Sequence, residues 1–371
     1  MAKTILITGG AGFIGSHLAD DLLAAGHTVR VLDCLLPQVH PEGGRPAYLD
    51  LRVELQVGDV RDPAAVARAL QGADVVYHFA AMVGVGQSMY QVADYTGVND
   101  LGTAVLLEAL IKRPVERLVV ASSMSIYGEG LYHGPAGDSV PAGERPRDRL
   151  ERGDWEIRAA DGQALTPVPT PEGKQPALAS IYALNKYVQE RQCLLVGAAY
   201  GIPTTALRFF NVYGPRQALS NPYTGVLAIF GSRLLNGKRP LVFEDGRQMR
   251  DFVHVKDVTR ACMLALDKPA AAGAAINVGS GQAIAIRDLG ERIAATVGRP
   301  DLGPEITGRF RVGDIRHCFA DIGKAQALLG YAPQMDLDRG LADLADWLSG
   351  QIAIDRVEEA ARELAMRGLT V

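Results

Sequence analysis

The 371-residue chain contains little cysteine, few aromatic residues and no strong excess of charge of either sign. Its four cysteines, Cys34, Cys193, Cys262 and Cys318, are far apart, which argues against a zinc site and against a disulfide framework. The net charge of −4 provides no general basic field for binding nucleic acid. No apolar run reaches the ~20 residues that a membrane-spanning helix needs. We therefore expect a reduced protein of the cytoplasm, with no metal, membrane or nucleic-acid partner.

Short apolar and β-branched runs alternate with helical stretches through the first part of the chain, as in parallel βαβ units. The chain enters the first run directly after Met1, so we expect no signal peptide. The predicted strands are Lys3–Thr8, Thr28–Leu32, Val53–Val57, Asp74–His78, Arg117–Ala121 and Thr204–Arg208. This alternation predicts an α/β fold with a Rossmann-type, doubly wound parallel sheet.

The alternation becomes looser after the sixth strand, where we predict a smaller C-terminal α/β lobe that binds the substrate. Its helices and short strands are expected at Asn221–Asn236, Pro240–Phe243, Val255–Leu266, Ala275–Val278 and Ile286–Val297. The predicted division is a sheet domain at 1–210, a lobe at 211–350 and a C-terminal helix within 351–371. A long segment at 129–179, rich in glycine, proline and charge, interrupts the sheet domain. For this inserted segment we expect a lid or pocket wall, or else a passive or dimer-contact role.

A glycine-rich turn follows the first predicted strand and opens a helix. In such a turn glycine allows a tight bend and a close approach of the backbone to a pyrophosphate, which then faces the helix N-terminus. Asp33 ends the second strand, at the position where a carboxylate accepts from adenosine ribose hydroxyls and repels a 2′-phosphate. The pattern therefore predicts NAD rather than NADP as the cofactor. The turn residues predicted to hold it are Gly9, Gly12, Phe13, Ile14 and Gly15.

Further cofactor contacts are predicted after the third and fourth strands. Asp59 is placed to accept from the adenine amino group, and small residues after the fourth strand allow the backbone to pass close to a cofactor. A helix running to about Lys112 follows these residues and carries Asn99. His78 ends a buried apolar run, so we interpret it as structural rather than as a catalytic acid. The predicted contacts of this group are Asp59, Val60, Phe79, Ala80, Ala81 and Asn99.

Tyr182 and Lys186 are four residues apart in a predicted helix that Ser180 is expected to cap, so they lie on one face. A free tyrosine has a pKa of about 10, and a nearby ammonium group favours the phenolate and lowers that pKa. The pair therefore predicts a general base that works near neutral pH. Hydroxyl groups at 122–128 follow the fifth strand, at the edge where parallel sheets bind ligands.

These motifs, in this order, resemble the extended short-chain dehydrogenase/reductase family, and within it the nucleotide-sugar epimerases and dehydratases. The resemblance covers about residues 1–350 apart from the inserted segment. It includes the later motifs Arg208–Pro215, Arg250–Val255, Asn277–Gly281 and Arg311–Asp314. It implies that Tyr182 is the catalytic base, that Ser123 donates to the reacting oxygen of the sugar, and that Lys186 holds the nicotinamide ribose.

The resemblance also implies a diphosphate site built from Asn211, Arg250 and Arg311, with Asp314 on the nucleoside side. Guanidinium groups suit a diphosphate because they can make paired hydrogen bonds to its oxygens. The substrate is accordingly expected to be a nucleotide-diphosphate sugar, and the protein to be a homodimer. The substrate-binding residues expected on this basis are Ser123, Ser125, Asn211, Val226, Arg250, Arg311 and Asp314.

Residues 123–125 bear on the reaction class, because family 4,6-dehydratases carry Thr-Asp-Glu there and the decarboxylases usually a glutamate at the third position. Here the sequence is Ser-Met-Ser, without either carboxylate. The resemblance therefore implies NAD-dependent 4-epimerase chemistry, by transient oxidation at C4. A dehydratase, decarboxylase or reductase of the same family is the alternative. A non-enzymatic NAD-binding sensor is disfavoured because the Tyr182/Lys186 pair is intact.

The inserted segment and the run at 219–226 resemble dTDP-L-rhamnose 4-epimerases most. Cys318 stands seven residues after Arg311, where a tyrosine narrows the sugar pocket of some UDP-galactose 4-epimerases. We expect a roomier pocket there. The 4-epimerases of UDP-glucose, UDP-glucuronate and UDP-N-acetylhexosamines therefore remain alternatives.

Overall fold

The computed structural model describes all residues except 141, 144, 222, 224, 312, 353 and 371. Pro141 of the inserted segment and the motif residues Pro222, Thr224 and Val312 therefore lie outside the described residues. The strands are Thr4–Thr8 (β1), Thr28–Asp33 (β2), Glu54–Val57 (β3), Val75–His78 (β4), Arg117–Ser123 (β5), Leu131–His133 (β6), Ser139–Val140 (β7), Thr166–Val168 (β8), Thr204–Phe209 (β9), Asn211–Tyr213 (β10), Leu241–Val242 (β11), Met249–Arg250 (β12), Phe252–His254 (β13), Ala275–Val278 (β14), Ile284–Ala285 (β15), Glu305–Ile306 (β16) and His317–Cys318 (β17).

Helices separate most of these strands and cover the sheet. They are Phe13–Ala24 (α1), Pro63–Ala69 (α2), Val85–Ser88 (α3), Val92–Thr96 (α4), Gly102–Lys112 (α5), Arg147–Glu151 (α6), Ile181–Tyr200 (α7), Val226–Leu235 (α8), Val255–Asp267 (α9), Ile286–Thr296 (α10), Gly323–Leu329 (α11), Leu337–Ser349 (α12) and Val357–Met366 (α13). Among the described residues, no helix has the length and apolar character required to cross a membrane.

A seven-stranded parallel sheet in the order β14-β9-β5-β4-β1-β2-β3 forms the centre of the protein. Its inner strands carry apolar side chains on both faces, since Ile5, Leu6 and Ile7 are all fully buried. One core, containing α1, α9 and α11, lies on one face, and a second, containing α2, α5 and part of α7, lies on the other. All six predicted strands are present, and the predicted Rossmann-type, doubly wound fold is confirmed.

Two segments that were predicted for the smaller lobe belong to the sheet domain instead. Strand β14 forms the edge of the sheet, with Ile276 opposite Leu207 of β9, and α9 packs against α1. Their assignment to the lobe is therefore wrong. The sequence does not show which strand a short apolar strand such as β14 pairs with, and many residues separate β14 from its partner β9. The domain boundaries 1–210 and 211–350 stay a prediction, although β14 and α9, which lie within 211–350, pack on the sheet domain.

The smaller lobe has its own apolar core, formed mainly by α8, α10 and α12. Short strands outside the central sheet pair in small sheets of their own: β10 lies beside β13, β11 beside β16, and β12 between β15 and β17. The predicted C-terminal helix is present as α13, which buries Ala360 and Leu364. Leu364 lies near Gly86 of α3. The C-terminal helix therefore packs against the sheet domain.

The region before Lys112 is not one continuous helix, in contrast to the prediction. It consists of α3, α4, a π-helical turn at Gly97–Leu101, and α5. The π-helical turn carries Asn99, whose side chain is fully buried. Such turns are rare and frequently occur at functional sites. Nothing in the spacing of apolar residues indicates this change of hydrogen-bond pattern.

The inserted segment 129–179 is folded. Strands β7, β6 and β8 form a small antiparallel sheet, and Tyr132, Ile157 and Leu165 are buried together in a core of their own. An isolated bridge between Arg158 and Ala164 closes a further turn. The segment is therefore a small structural unit between β5 and α7.

Close packing of α7 on the sheet can be tested at Gly197. A Cβ atom there would lie 2.2 Å from Thr204 Oγ1 and 2.8 Å from the carbonyl oxygen of Ile202. We expect Gly197→Ala to lower the free energy of unfolding by roughly 1–3 kcal/mol, because overpacking displaces the helix or the strand. Denaturant unfolding measures this change. Gly173→Ala is the control, since no atom of a described residue lies within 4 Å of its added Cβ, and an equal loss in both variants would contradict the packing argument.

Candidate active site

The strand order reverses between β1 and β4, which are neighbours in the sheet although α1, β2, β3 and α2 separate them in sequence. In open parallel sheets the crevice for ligands lies outside the carboxyl ends of the strands at such a point. The glycine turn follows β1 and the residues Phe79–Ala81 follow β4, so both border this crevice. Gly9 has a φ of +69°, and a Cβ there would lie 2.7 Å from Ala80 N. Only glycine allows the two segments to lie this close.

The turn offers free backbone donors to an anion. Helix α1 begins after Gly12, which provides no side-chain cap, and its first turn contains no acidic residue. The N–H groups of a helix start attract an anion through their orientation and through the helix dipole. Gly15 has no room for a side chain, since a Cβ would lie 2.6 Å from Gly10 Cα. The predicted turn residues therefore fit the pyrophosphate of a dinucleotide, and Phe13 and Ile14 form the first turn of the helix.

The Asp33 carboxylate is held in place by two backbone donors. Ala11 N donates to Oδ2 at 3.0 Å and Leu35 N donates to Oδ1 at 2.9 Å. Tyr48 also fixes the turn, because its hydroxyl donates to Ala11 O at 2.9 Å. The carboxylate keeps lone pairs for ribose hydroxyls, since each oxygen can accept more than one hydrogen bond. Its role in binding the adenosine ribose stays a prediction.

Two other predicted cofactor residues already have partners in the protein. Asp59 forms a bidentate ion pair with Arg61, at 2.6 and 3.0 Å, and hydrogen bonds from Arg61 lower the pKa of its carboxyl. Asn99 accepts from Met82 N at 2.8 Å and donates to Met82 O at 3.1 Å. Asn99 thus fixes the backbone that follows Phe79–Ala81. Val60 is buried against Gly102. The contacts of these residues with a cofactor stay predictions.

Tyr182 lies in the first turn of α7, which Ser180 caps as predicted by accepting from Ala183 N at 3.1 Å. The backbone N–H of Tyr182 donates to Ser88 Oγ at 3.1 Å, so α3 also fixes this end of the helix. Burial raises the pKa of the Tyr182 hydroxyl to about 12, and a hydrogen bond with Ser123 opposes that rise only in part. The predicted lowering of this pKa is therefore wrong for the protein on its own, because burial raises it and Ser123, rather than Lys186, is the group that opposes the rise.

The ammonium group of Lys186 is buried and points to two oxygen atoms. Its Nζ donates to Ala121 O at 2.9 Å and to Gln189 Oε1 at 2.8 Å. Burial lowers the pKa of Lys186 to about 8, so the group is still mostly protonated at neutral pH. An ammonium group has three N–H bonds, which leaves one for a ribose hydroxyl.

Gln189 was not predicted from the sequence as a functional residue. Its Nε2 lies 3.0 Å from His78 Nε2 and 3.0 Å from Thr103 Oγ1, and its carbonyl accepts from Lys186. His78 is fully buried, and burial lowers its pKa to about 3, so its ring is neutral. Its Nδ1 lies 2.7 Å from Thr8 Oγ1. His78 therefore has the structural role predicted for it, and Gln189 connects it to Lys186. The signal in the sequence that could have identified Gln189 is its position three residues after Lys186, on the same face of the helix.

The serines at the end of β5 and directly after it have different partners. Ser122 Oγ donates to Glu190 at 2.6 Å, inside a buried pair in which Arg208 Nη2 lies 2.6 Å from Glu190 Oε1. Ser123 begins a 3-10 helix at Met124–Tyr127 and accepts from Ser125 N at 3.1 Å. The hydroxyls of Ser123 and Ser125 lie 3.0 Å apart. Ser122 is thus used internally, while Ser123 is the serine that interacts with Tyr182.

The other residues predicted to bind the substrate come from four separate segments of the chain. Asn211 Nδ2 donates to Asp251 O at 2.8 Å, and Val226 is the first residue of α8, whose N-terminus has no side-chain cap among the described residues. Arg250 donates to the carbonyl oxygens of Met249 and Arg316, at 3.0 and 2.9 Å, and to that of Ile315. These bonds fix the guanidinium group of Arg250 and leave part of its donor capacity.

Arg311 and Asp314 lie in the segment that runs beside Arg250. Arg311 is exposed, and its guanidinium carbon lies 4.3 Å from the centre of the Phe243 ring. Asp314 Oδ1 lies 3.5 Å from Arg250 Nη2. Arg250 and Asp314 are therefore brought together, whereas Arg311 faces an aromatic ring. The roles of all three in substrate binding stay predictions.

Cys318 does not line an open pocket, in contrast to the expectation that it enlarges the sugar site. It is 1% exposed and packs with Met124, Tyr127 and Phe210 in a small core. Its Sγ lies 3.9 Å from Thr170 Oγ1, so the inserted segment occupies the adjacent space.

The sequence model of the NAD dependent epimerase/dehydratase family matches residues 5–148 and 161–279. The chain belongs to this family. A dTDP-L-rhamnose 4-epimerase from Burkholderia thailandensis is 37% identical over 356 residues, covering 94% of this chain and 96% of that relative. A putative UDP-glucose 4-epimerase from Methanocaldococcus jannaschii is 31% identical over 346 residues, covering 93% and 98%. These findings confirm the family predicted from the motifs.

Solved structures of similar proteins agree with this family. A UDP-glucose 4-epimerase from Thermotoga maritima with UDP-glucose has a TM-score of 0.76 and 30% identity, and the match covers 93% of this chain and 98% of that one. A Thermus thermophilus UDP-glucose 4-epimerase in complex with NAD has a TM-score of 0.74 and 32% identity, with coverage of 94% and 100%. The glycine turn and the cofactor crevice described above thus belong to a family in which NAD-bound structures are known.

The role of Gln189 can be tested with Gln189→Met. The variant removes an acceptor that stabilises the charged form of Lys186, so the pKa of Lys186 should fall further below its present value of about 8. A hydrogen bond to a charged group contributes about 1.5–3 kcal/mol, or roughly one to two pH units. We expect the alkaline limb of the pH–activity profile to move to lower pH by about that amount.

The matched control is Gln192→Met on the same helix. The carbonyl oxygen of Gln192 is buried without a hydrogen-bond partner among the described residues. Its pH–activity profile should stay that of the wild type. A Gln189→Met profile that keeps the wild-type alkaline limb would show that Gln189 does not act through Lys186.

Proposed function

We propose that this protein is an NAD-dependent nucleotide-sugar 4-epimerase, which oxidises C4 of an NDP-hexose transiently and reduces it again from the opposite face. The observation that carries the proposal is the buried Tyr182/Lys186 pair with Ser123, beside the glycine turn at the crevice between β1 and β4. The relative at 37% identity makes dTDP-L-rhamnose the first substrate to test. UDP-glucose, UDP-glucuronate and UDP-N-acetylhexosamines are the alternatives.

In the proposed mechanism Tyr182 removes the proton of the 4-hydroxyl group and later returns it. When bound, NAD supplies the acceptor of the C4 hydride and the donor that gives it back. The pKa of about 12 means that the free Tyr182 hydroxyl is mostly protonated at neutral pH. A hydrogen bond with Ser123 favours the phenolate, and the ammonium group of Lys186, which two hydrogen bonds hold in place, is proposed to add to this effect during the reaction. Burial of Tyr182 and Ser123 limits water at the reacting atoms.

The residues beside Ser123 support epimerisation over elimination. Met124 is buried and receives a hydrogen bond from Asn211 on its sulfur atom, and Ser125 contacts Ser123. Neither side chain can serve as the carboxylic acid that protonates a leaving hydroxyl group. The ketone formed at C4 is therefore expected to return to an alcohol without loss of water.

The diphosphate is proposed to bind between Arg250 and the start of α8, with Asn211, Val226, Arg311 and Asp314 around it. Two features support this placement: the fixed guanidinium group of Arg250 and the start of α8, where the N-cap residue Gly225 has no side chain and no other described side chain caps the helix. Both supply N–H donors to phosphate oxygens.

The protein is further proposed to act as a homodimer in the cytoplasm. Leu184 and Leu195 on α7 are 41% and 59% exposed, and a second copy of the chain would cover such side chains. The four cysteines are free in the structure, which suits a reducing compartment.

Tyr182→Phe tests the assignment of the base. The variant keeps the buried ring but removes the hydroxyl group, so turnover should fall by about 10²–10⁴ or more, while binding of the nucleotide sugar changes little. Steady-state kinetics and calorimetric binding measure the two effects. Tyr187→Phe, five residues further along the same helix, is the control and should keep wild-type turnover. Near-normal turnover of Tyr182→Phe would overturn the mechanism.

The reaction class can be tested by incubating candidate sugars in heavy water and determining the mass of the product. We expect a product of unchanged mass with inverted configuration at C4, because the hydride leaves and returns without exchanging with solvent. A product lighter by one water would mean a dehydratase, and one lighter by carbon dioxide a decarboxylase. Deuterium at C3 or C5 would mean epimerisation through an enol, which requires a base that removes a proton from carbon and would contradict the proposed mechanism.

A further inference from the structure

Six side chains form a charge cluster between the inserted segment and the smaller lobe. Arg316 and Glu244 are fully buried, and only 5% of the Arg145 side chain is exposed. The four carboxylates outnumber the two guanidinium groups. The charge cluster is defined by Arg145, Arg316, Glu129, Glu156, Glu244 and Asp245.

The inserted segment provides three members of the charge cluster, and all three contact residues 314–317. Arg145 Nη2 donates to the carbonyl oxygen of Asp314 at 2.8 Å. Glu129 accepts from the backbone N–H of Arg316 at 2.6 Å and from that of His317 at 3.1 Å. Glu156 accepts from Arg316 Nη2 at 2.5 Å. These bonds hold both the main chain and a side chain of the 314–317 segment.

Residues 244 and 245 hold the 314–317 segment from the other side. Arg316 Nη1 lies 3.0 Å from Glu244 Oε2 and 2.7 Å from Asp245 Oδ1. Arg145 Nη2 also lies 2.8 Å from Glu244 Oε1. Glu244 has a φ of +54°, a conformation that costs free energy for a side chain of this size and persists only where the surroundings enforce it. The charge cluster thus provides the surroundings that fix this loop.

Arg250 depends on the same segment for its position. Two of its three hydrogen-bond acceptors are the carbonyl oxygens of Ile315 and Arg316, which directly follow Asp314. A displacement of 314–317 would therefore rotate or release the guanidinium group. Arg145 itself is not proposed to touch the substrate, so its influence on binding passes through these carbonyl oxygens.

Backbone pairing argues against a moving lid. Gly130 N donates to His317 O and Thr170 N donates to Phe319 O, both at 2.8 Å. Both ends of the inserted segment are therefore bonded to the segment that follows Arg316. The segment also has its own buried core. A unit bonded in this way supports its neighbour rather than opening and closing over it.

We propose that the inserted segment 129–179 is a positioning element for the diphosphate site, and that Arg145, through the charge cluster, holds Arg250 and residues 314–317 in the arrangement that binds a nucleoside diphosphate. This inference rests on the proposed function. It separates two properties of the enzyme: Arg145 sets the affinity for the nucleotide half of the substrate, while Tyr182 and Ser123 perform the chemistry at the sugar.

The test measures binding of dTDP, UDP and GDP to the NAD-loaded protein by calorimetry, together with KM and kcat. Arg145→Met should weaken binding of the preferred nucleoside diphosphate by about tenfold or more, and KM should rise by a similar factor. Turnover should stay within about twofold and NAD content should not change. Arg145→Lys, which keeps the charge, should recover part of the affinity.

Arg152→Met is the matched control on the same segment. Arg152 is 67% exposed and pairs only with Asp148 among the described residues, so its variant should bind as the wild type does. If Arg145→Met does not fold, Arg145→Met/Glu244→Gln is measured against the same criterion, because it also removes the charge of a buried carboxylate that has lost one of its two arginine partners. Wild-type affinity in the Arg145 variant, or an equal loss of kcat and NAD content, would overturn the inference. A wild-type protein that binds none of the three nucleotides would instead overturn the proposed function.

Discussion

The buried ammonium group of Lys186 is the constraint to which the other parts of the site are adjusted. A charge removed from water is tolerated only if oxygen atoms replace its hydration. Those oxygens are the carbonyl of Ala121 at the end of β5 and the side chain of Gln189. Because both must be within hydrogen-bond distance, the height and rotation of α7 over the sheet are fixed. The position of Tyr182 follows, since it lies one turn earlier on the same helix.

The same constraint extends to the cofactor turn through a chain of hydrogen bonds. Gln189 contacts His78 at the end of β4, and His78 contacts Thr8 at the end of β1, directly before the glycine turn. Thr8 Oγ1 in turn accepts from Ala80 N at 3.3 Å. The neutral state of His78 means that this chain adds no second charge beside Lys186. The base and the pyrophosphate turn are thereby held in one network that crosses three strands.

Local patterns were sufficient for the features that depend on neighbouring residues. The glycine turn, the cap at Ser180, the Tyr182/Lys186 face and six strands of the sheet all follow from spacing within a few residues. The place of β14 in the sheet does not, because a short apolar strand can pair with many partners. The charge cluster was also not predicted, since Arg316 and Glu156 are 160 residues apart in sequence. The direction of the Tyr182 pKa shift depended on burial, which a pattern of residue types does not measure.

The adjacent residues Arg250 and Asp251 show how the substrate lobe is placed relative to the sheet. Asp251 is fully buried and accepts from Ser280 N and Gly281 N, directly after the edge strand β14, and from Ala320 N. Its backbone carbonyl accepts from Asn211, which follows β9. Asp251 therefore binds the lobe to two strands of the central sheet. Arg250, one residue earlier, is bound to residues 315 and 316, which the inserted segment holds. The position of this arginine relative to Tyr182 is consequently set from two directions, by the sheet through Asp251 and by the inserted segment through the charge cluster.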